Sequence, residues 1–233
     1  MTAIALFLTA PHPCSYLDEE SAQSAFVDPA LPLTPTIYAE LLSLGFRRSG
    51  DQVYRPYCQA CQACIPIRLP VATFSPNRRQ KRCWQKNSQT LAVIKPPVFD
   101  DAHYQLYLRY QHARHAGGDM ADSTPEDYLG FLGNSWGKTL FVEFFIDKQL
   151  AGLAVIDQLD NALSAVYTFF DPAFADYSLG TYAVLWQIEL ARQQQQAFVY
   201  LGFWIAECKK MAYKNQYKPM QLFIDNQWLD SQD

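Results

Sequence analysis

The stretch 140-LFVEFFIDKQLAGLAVIDQLDNALSAVYTFF-170 decides how this chain folds. Leu140 to Ile146, Gln149 to Gln158 and Leu163 to Phe170 are rich in β-branched and aromatic residues. The turn-forming pairs Asp147-Lys148 and Asp160-Asn161 separate them. That pattern predicts three antiparallel strands in sequence order. Beyond them, Ser178 is placed to cap a helix running to about Gln194, with Leu179, Tyr182, Ala183, Trp186 and Leu190 on one face. Phe198 to Phe203 then reads as a final buried strand.

Upstream, Thr124-Pro125-Glu126-Asp127 opens a helix. Asp100 to His115 is predicted helical, with Tyr104, Tyr107, Leu108 and Tyr110 on its apolar face. Lys95-Pro96-Pro97 marks the expected boundary between an N-terminal region, 1–95, and a core, 96–233. Residues 1–35 are punctuated by prolines and read as mostly irregular. Thr34 caps a helix opening at Pro35, whose apolar face is Ile37, Tyr38, Leu41, Leu42 and Leu44, and Gly45 ends it. Phe46 to Tyr54 reads as a hairpin around Ser49-Gly50-Asp51. Ile65 to Val71 reads as a strand whose prolines predict an edge or a bulge. Asn77 to about Ser88 is a basic helix. The expected class is α+β.

Hydrophobic residues make up 49% and charged residues 18% of the 233, which excludes a disordered or fibrous chain. The net charge is -4, but ten Lys or Arg against one acid, Asp51, give the stretch from Arg47 to Lys95 a charge of +9. Such a field attracts phosphate whatever the total charge. The apolar start from Ala3 to Ala10 is too short to span a membrane and lacks the basic flank of a signal peptide. The expectation is a reduced, cytoplasmic protein with neither a membrane nor a DNA partner.

Cys58, Cys61 and Cys64 are spaced like metal ligands, and Cys14 can supply a fourth thiolate. Zinc or an iron–sulfur cluster suits such a set, and so does a metal-free cluster of buried thiols. Arg78, Arg79, Lys81, Arg82 and Lys86 crowd one helix with no acid among them, which suits a nucleic acid better than a solvated face. The four histidines, His12, His103, His112 and His115, have neither nucleophile nor metal spacing; His115, beside Arg114, is the one to watch.

Three strands, a helix and a strand in this order resemble the N-acetyltransferase-like acyltransferase core, in which donor and amine acceptor meet where two central strands splay apart. Asp171 and Tyr167 would then lie at the cleft, although Asp171-Pro172 also reads as a plain turn. Free N–H groups at Ser178, Leu179, Gly180 and Thr181 can hold a phosphate or an oxyanion, or simply begin a helix. Neither placement of Gly180 satisfies the Gln/Arg-x-x-Gly-x-Gly/Ala pattern of acetyl-CoA enzymes.

Several phrases together carry a closer resemblance. They are Cys14-Ser15-Tyr16-Leu17, Tyr54-Arg55-Pro56 leading into the cysteines, Phe74-Ser75-Pro76-Asn77-Arg78-Arg79-Gln80, Tyr110-Gln111-His112-Ala113-Arg114-His115, Ala165 to Asp171, Ser178-Leu179-Gly180-Thr181-Tyr182 and Met211-Ala212-Tyr213-Lys214. In order and spacing they resemble the bacterial leucyl branch of the arginyl-tRNA–protein transferase family. The likeness runs from about residue 5 to about residue 225. It implies an N-acetyltransferase-like core with an N-terminal cysteine-containing subdomain. The implied enzyme transfers leucine from leucyl-tRNA to an N-terminal Asp or Glu and so marks proteins for degradation, with no cofactor required for the chemistry. Asp171 and Tyr167 would serve the acceptor amine, Ser178 to Thr181 the donor end, and the basic helix the tRNA. An acidic acceptor needs a cation, expected among Arg68, Arg114, Lys210 and Lys214. The alternatives are an arginyl donor, which would need an acid in its pocket, and a non-enzymatic RNA-binding or metal-sensing protein.

Overall fold

In a computed structural model the protein is described over residues 4–114, 120 and 122–231. Short strands β1 (Leu6–Leu8), β2 (His12–Pro13), β3 (Ser21–Ala22) and β4 (Ser24–Val27) precede helix α1 (Pro35–Ser43). Then come β5 (Arg47–Ser49), β6 (Gln52–Pro56), β7 (Ile65–Pro70), α2 (Arg78–Lys86), β8 (Leu91–Lys95), α3 (Asp101–Arg114) and α4 (Pro125–Leu132). The meander is β9 (Lys138–Ile146), β10 (Gln149–Gln158) and β11 (Ala162–Phe170). A 3-10 segment, Pro172–Tyr177, leads to α5 (Leu179–Gln193), β12 (Phe198–Trp204), α6 (Lys209–Ala212), a second 3-10 turn (Tyr213–Gln216) and the hairpin β13 (Gln221–Ile224) and β14 (Gln227–Asp230).

The local chemistry explains most boundaries. Thr34 Oγ1 accepts the Ile37 N–H at the start of α1, and Gly45 follows at φ +84, the left-handed conformation that stops a helix cheaply. Asn77 and Gln80 form a reciprocal capping box on α2, as Thr124 and Asp127 do on α4. Asp147 and Lys148 both take positive φ, which matches the right-handed twist of the β9–β10 hairpin.

Eight strands form one sheet in the order β14-β13-β7-β12-β11-β10-β9-β8. Its central strands are buried on both faces. Ala154 and Ile156 of β10 pack with α5 on one side, while Leu153 and Val155 face Leu106 and Tyr107 of α3 and Tyr128 and Leu132 of α4 on the other. A side chain fully buried this way contributes about 1.5–3 kcal/mol, which explains why these strands are apolar in both registers. A second sheet, β1-β4-β6-β5, and α1 close a smaller core against Leu159, Ala162 and Tyr200. The expected boundary after residue 95 falls at the end of β8, and the large sheet runs across it, with β7 and β8 from one side and β9 to β14 from the other.

Two expectations are refined and one changes. Residues 1–35 are mostly irregular as read, but they also hold four short strands, of which β1 and β4 pair into the smaller sheet and β2 pairs β3. The strand Ile65–Pro70 is interior, between β13 and β12, so of the edge or bulge expected from its prolines it is the bulge that is present, in its ladder with β12. Its prolines fit because β13 pairs it only at Ile67 and Arg68, away from Pro66 and Pro70, and the β12 ladder is irregular between Arg68 and Ile67. Ser178 precedes α5 at φ +52 and its side chain makes no capping bond.

Candidate functional site

The large sheet opens at one point. Strands β11 and β12 are parallel, and they pair only from Ala162 to Ser164 against Phe198 to Tyr200. Past that level β11 continues on β10 alone, and β12 on β7 alone. Each strand carries an extra residue just there. Val166 is unpaired between the Ala165 and Tyr167 partners on β10, and Leu201 between the Tyr200 and Gly202 partners on β7. A bulge bends its strand and increases its twist, and two facing bulges drive the strands apart. Gly202 at φ +81 permits the second one.

Arg47 of β5 fills the wedge. Its Nη2 donates to the Ala165 carbonyl, and the chain passes it closely at Gly202. Its Nη1 is buried without a hydrogen-bond partner. Lys214 is also buried, and its Nζ donates to the Phe203 carbonyl at 2.6 Å, with the Met211 sulfur at 3.6 Å. Burial, aided by the charge of Arg47, brings the Lys214 ammonium down to about 7. Arg48, on the other face of the same strand, is matched instead. Its Nε and Nη2 clasp both oxygens of Asp157 at 2.7 Å, and it donates further to Leu132 O, Gly133 O and Thr139 Oγ1.

Tyr167 lies on the wedge side of the β11 bulge, among Tyr107, Tyr110 and Phe131. Its hydroxyl accepts from Gln111 Nε2 at 3.0 Å. Burial pushes this phenol above its usual range, so it is a neutral hydrogen-bonding group. Asp171 follows β11 with both oxygens engaged. Oδ2 accepts from Arg109 Nε at 2.9 Å, and Oδ1 accepts the Ala173 N–H that begins the 3-10 segment. The turn read from Asp171-Pro172 is present, with an ion pair added.

The basic helix adjoins the start of α5. Arg78, Arg79, Lys81, Arg82 and Lys86 are all exposed, while Gln80 and Asn87 face inward. Asn87 Nδ2 donates to Tyr177 O at 2.8 Å, and the Cys83 thiol donates to Tyr177 O and Ser178 O. Trp84 packs on Tyr182 with ring centroids 5.5 Å apart. The cations expected to meet tRNA and the turn Ser178–Thr181 expected to meet the donor end are thereby fastened together.

The four expected acid-reading cations separate. Arg68 is held between Phe198 and Trp228, 3.7 and 4.3 Å from their ring centres, and donates to Gln221 and Tyr200. Arg114 stands over Phe170 at the end of α3. Lys210 is exposed on α6. Lys214 alone of the four reaches the wedge. Arg47 was not read from the sequence; its only signal is a pair of adjacent arginines in a short strand, flanked by Phe46. His115 lies outside the described residues.

Cys14, Cys58, Cys61 and Cys64 all line one open cavity of about 720 Å³, together with Tyr16 and Phe203. Burial raises the Cys64 thiol to about 12, and the neighbouring thiols of Cys14, Cys58 and Cys61 add to the shift. Among the described residues, no group of three or more His, Cys, Asp or Glu is arranged to hold a metal ion, and the six cysteines are free. No helix among these residues is long and apolar enough to cross a membrane.

Comparison with known proteins adds the following. Residues 12–82 match the family described as arginine-tRNA-protein transferase, N terminus, and residues 102–224 match its C-terminal counterpart. The chain is 50% identical to an aspartate/glutamate leucyltransferase of Saccharophagus degradans over 98% of both chains. It is 46% identical to one of Pseudomonas aeruginosa over 98% of this chain and 97% of that one. Among solved structures, L-PGS from Bacillus licheniformis superimposes with a TM-score of 0.48 at 10% identity, covering 72% of this chain and 50% of that one.

Proposed function

The chain belongs to the arginine-tRNA-protein transferase family, and from that premise we propose that it moves leucine from leucyl-tRNA onto the N-terminal Asp or Glu of acceptor proteins. It is an aminoacyltransferase. The observation that carries the leucyl reading is the near-complete match to relatives named aspartate/glutamate leucyltransferase. Leucine at the N-terminus would mark the acceptor for degradation, in the cytoplasm.

The chemistry is aminolysis of an ester. The acceptor's α-nitrogen attacks the carbonyl carbon of the leucyl ester. The new C–N bond forms, the C–O bond to the tRNA ribose breaks, the ammonium proton passes to a base, and the departing oxygen takes up a proton. The ester is already activated, so positioning and charge stabilisation carry the rate. The strand order β9-β10-β11, α5, β12 and the parting of β11 from β12 support an N-acetyltransferase-like core in 96–233. The wedge would admit the amine, with Asp171 and Tyr167 as its partners. The Ser178–Thr181 turn would receive the aminoacyl end of a tRNA held by α2, whose exposed cations stand beside that turn.

The N-terminal region 1–95 contributes α2 and the cysteine-bearing subdomain. Cys14, Cys58, Cys61 and Cys64 have the donor chemistry for a structural zinc or iron–sulfur cluster and share one cavity. Their thiols would have to draw closer to ligate it, and such a metal would fasten β2 and the β6–β7 loop together. No step of the transfer is routed through it.

Incubation of the purified protein with leucyl-tRNA or arginyl-tRNA and an Asp-starting peptide, followed by mass analysis, tests the reading. Leucine is expected on the peptide. Arginine transfer without leucine transfer would overturn the donor choice, and transfer of neither would overturn the reaction.

A further inference from the structure

We propose that Arg47, with Lys214 beside it, is the receptor for the side-chain carboxylate of the acceptor's acidic N-terminal residue. The inference deepens the transfer reaction proposed above and rests on it.

The argument begins with charge. The ion pairs among the described residues are Arg48–Asp157, His103–Glu143, Arg109–Asp171 and Arg192–Glu189. Neither Arg47 nor Lys214 is in any of them, although both are buried. Removing a charge from water without a counter-charge is costly, and folds seldom keep one for packing alone. Arg48 shows what this same strand does with a structural cation, giving it a bidentate carboxylate and further oxygen acceptors.

Arg47 keeps donor capacity in reserve. One edge is tied to Ala165 O, and Nη1 has no partner. When protonated, Lys214 has three N–H donors and two acceptors, one of them the weak thioether of Met211. The charge of Arg47 also acts on Lys214, so the two cations share one environment. A carboxylate arriving there would find a guanidinium nitrogen and a lysine nitrogen without full partners, would neutralise the first and would favour the protonated form of the second.

Position gives the second argument. Arg47 spans the parting of β11 and β12, and Phe203, whose carbonyl holds Lys214, also lines the open cavity of about 720 Å³. An N-terminal Asp or Glu whose side chain reaches this pair keeps its α-nitrogen within a few bonds, on the wedge side where Tyr167 lies. The other cations are less suited. Arg68 is committed to two rings, a glutamine and a tyrosine, and Lys210 is solvated. An Asn or Gln acceptor would leave the pair uncompensated, which gives the site its selectivity.

The test measures kcat and KM for Asp-, Glu- and Asn-starting peptides at saturating leucyl-tRNA, in the wild type and in R47Q, R47K and K214M. R47Q is expected to raise KM for the acidic peptides by roughly 10–100-fold, the loss of a charge-assisted pair. The Asn peptide, which offers no carboxylate to lose, should suffer far less, so that the Asp-to-Asn preference collapses. R47K, which keeps charge but loses the planar fork, should fall between. If R47Q does not fold, as judged by circular dichroism, R47K and K214M carry the test. Folded variants that retain the wild-type Asp-to-Asn preference would overturn the assignment and leave the transfer reaction standing. A wild type that leucylates no acidic peptide would remove the reaction, and this receptor with it.

Discussion

Replacing Arg78, Arg79 and Arg82 together by Ala tests whether α2 holds tRNA, and the structure makes the substitution a clean one. All three side chains are exposed and appear in no ion pair among the described residues. The contacts that fasten the helix come from Asn77, Gln80, Cys83 and Asn87, on the other side. Stability should therefore change little, since Ala is the best helix former. Binding should change in a particular way. Each neutralised phosphate contributes about 0.7–0.9 to the slope of log K against log salt. Loss of three contacts should flatten that slope by about 2–3. Between about 50 and 200 mM salt this makes the wild type lose about 20–40-fold more affinity than the variant. Fluorescence anisotropy with labelled tRNA across that range reads the effect directly. Parallel salt plots for the two proteins would refute the reasoning and return α2 to a solvated surface.

Two further outcomes follow from the buried groups. Lys214 is held at about 7 in the folded protein against an ordinary 10.5, chiefly by burial, so above about pH 7 the unfolded chain binds the extra proton. Stability should then rise with pH, by at most about 1.4 kcal/mol per unit from this group. The Cys64 thiol, raised to about 12 from 9.0, works the other way once unfolded thiols begin to ionise, so urea titrations between about pH 7 and 8.5 isolate the lysine; K214M should flatten the rise, and an unchanged slope would contradict it. For the cysteine cluster, Cys58→Ser and Cys61→Ser are expected to lower stability or activity to the same extent, because loss of either ligand spoils a shared site; metal analysis of anaerobically purified protein, with a fully active metal-free wild type as the contrary result, separates ligation from packing.

What was legible in the sequence was local. The meander β9-β10-β11 was readable because its turns, Asp147-Lys148 and Asp160-Asn161, lie between runs long enough to be strands, and α2 because its cations sit within nine residues. The edge strand β8, with Leu91 and Ile94 exposed, and the hairpin β13–β14 are short, and their identity as strands depends on partners distant in sequence. The Arg48 pairing was equally hidden, since Asp157 is 109 residues away. The wedge itself escaped for a different reason. It exists because Val166 and Leu201 each add one residue at the same level of two strands that meet only through the long α5 crossover, and a single added residue leaves an apolar run apolar. Arg47 follows from this. Adjacent residues of a strand face opposite ways, so Arg47 and Arg48 had to diverge, and one of two exposed faces would have solvated one of them harmlessly. Both are buried here, Arg48 against Asp157, Thr139 and the Leu132 and Gly133 carbonyls, and Arg47 against the parted strands. One arginine meets a carboxylate and the other meets a gap in the sheet. The sequence displays two equivalent cations, and only the fold distinguishes the one already neutralised from the one still lacking an anion.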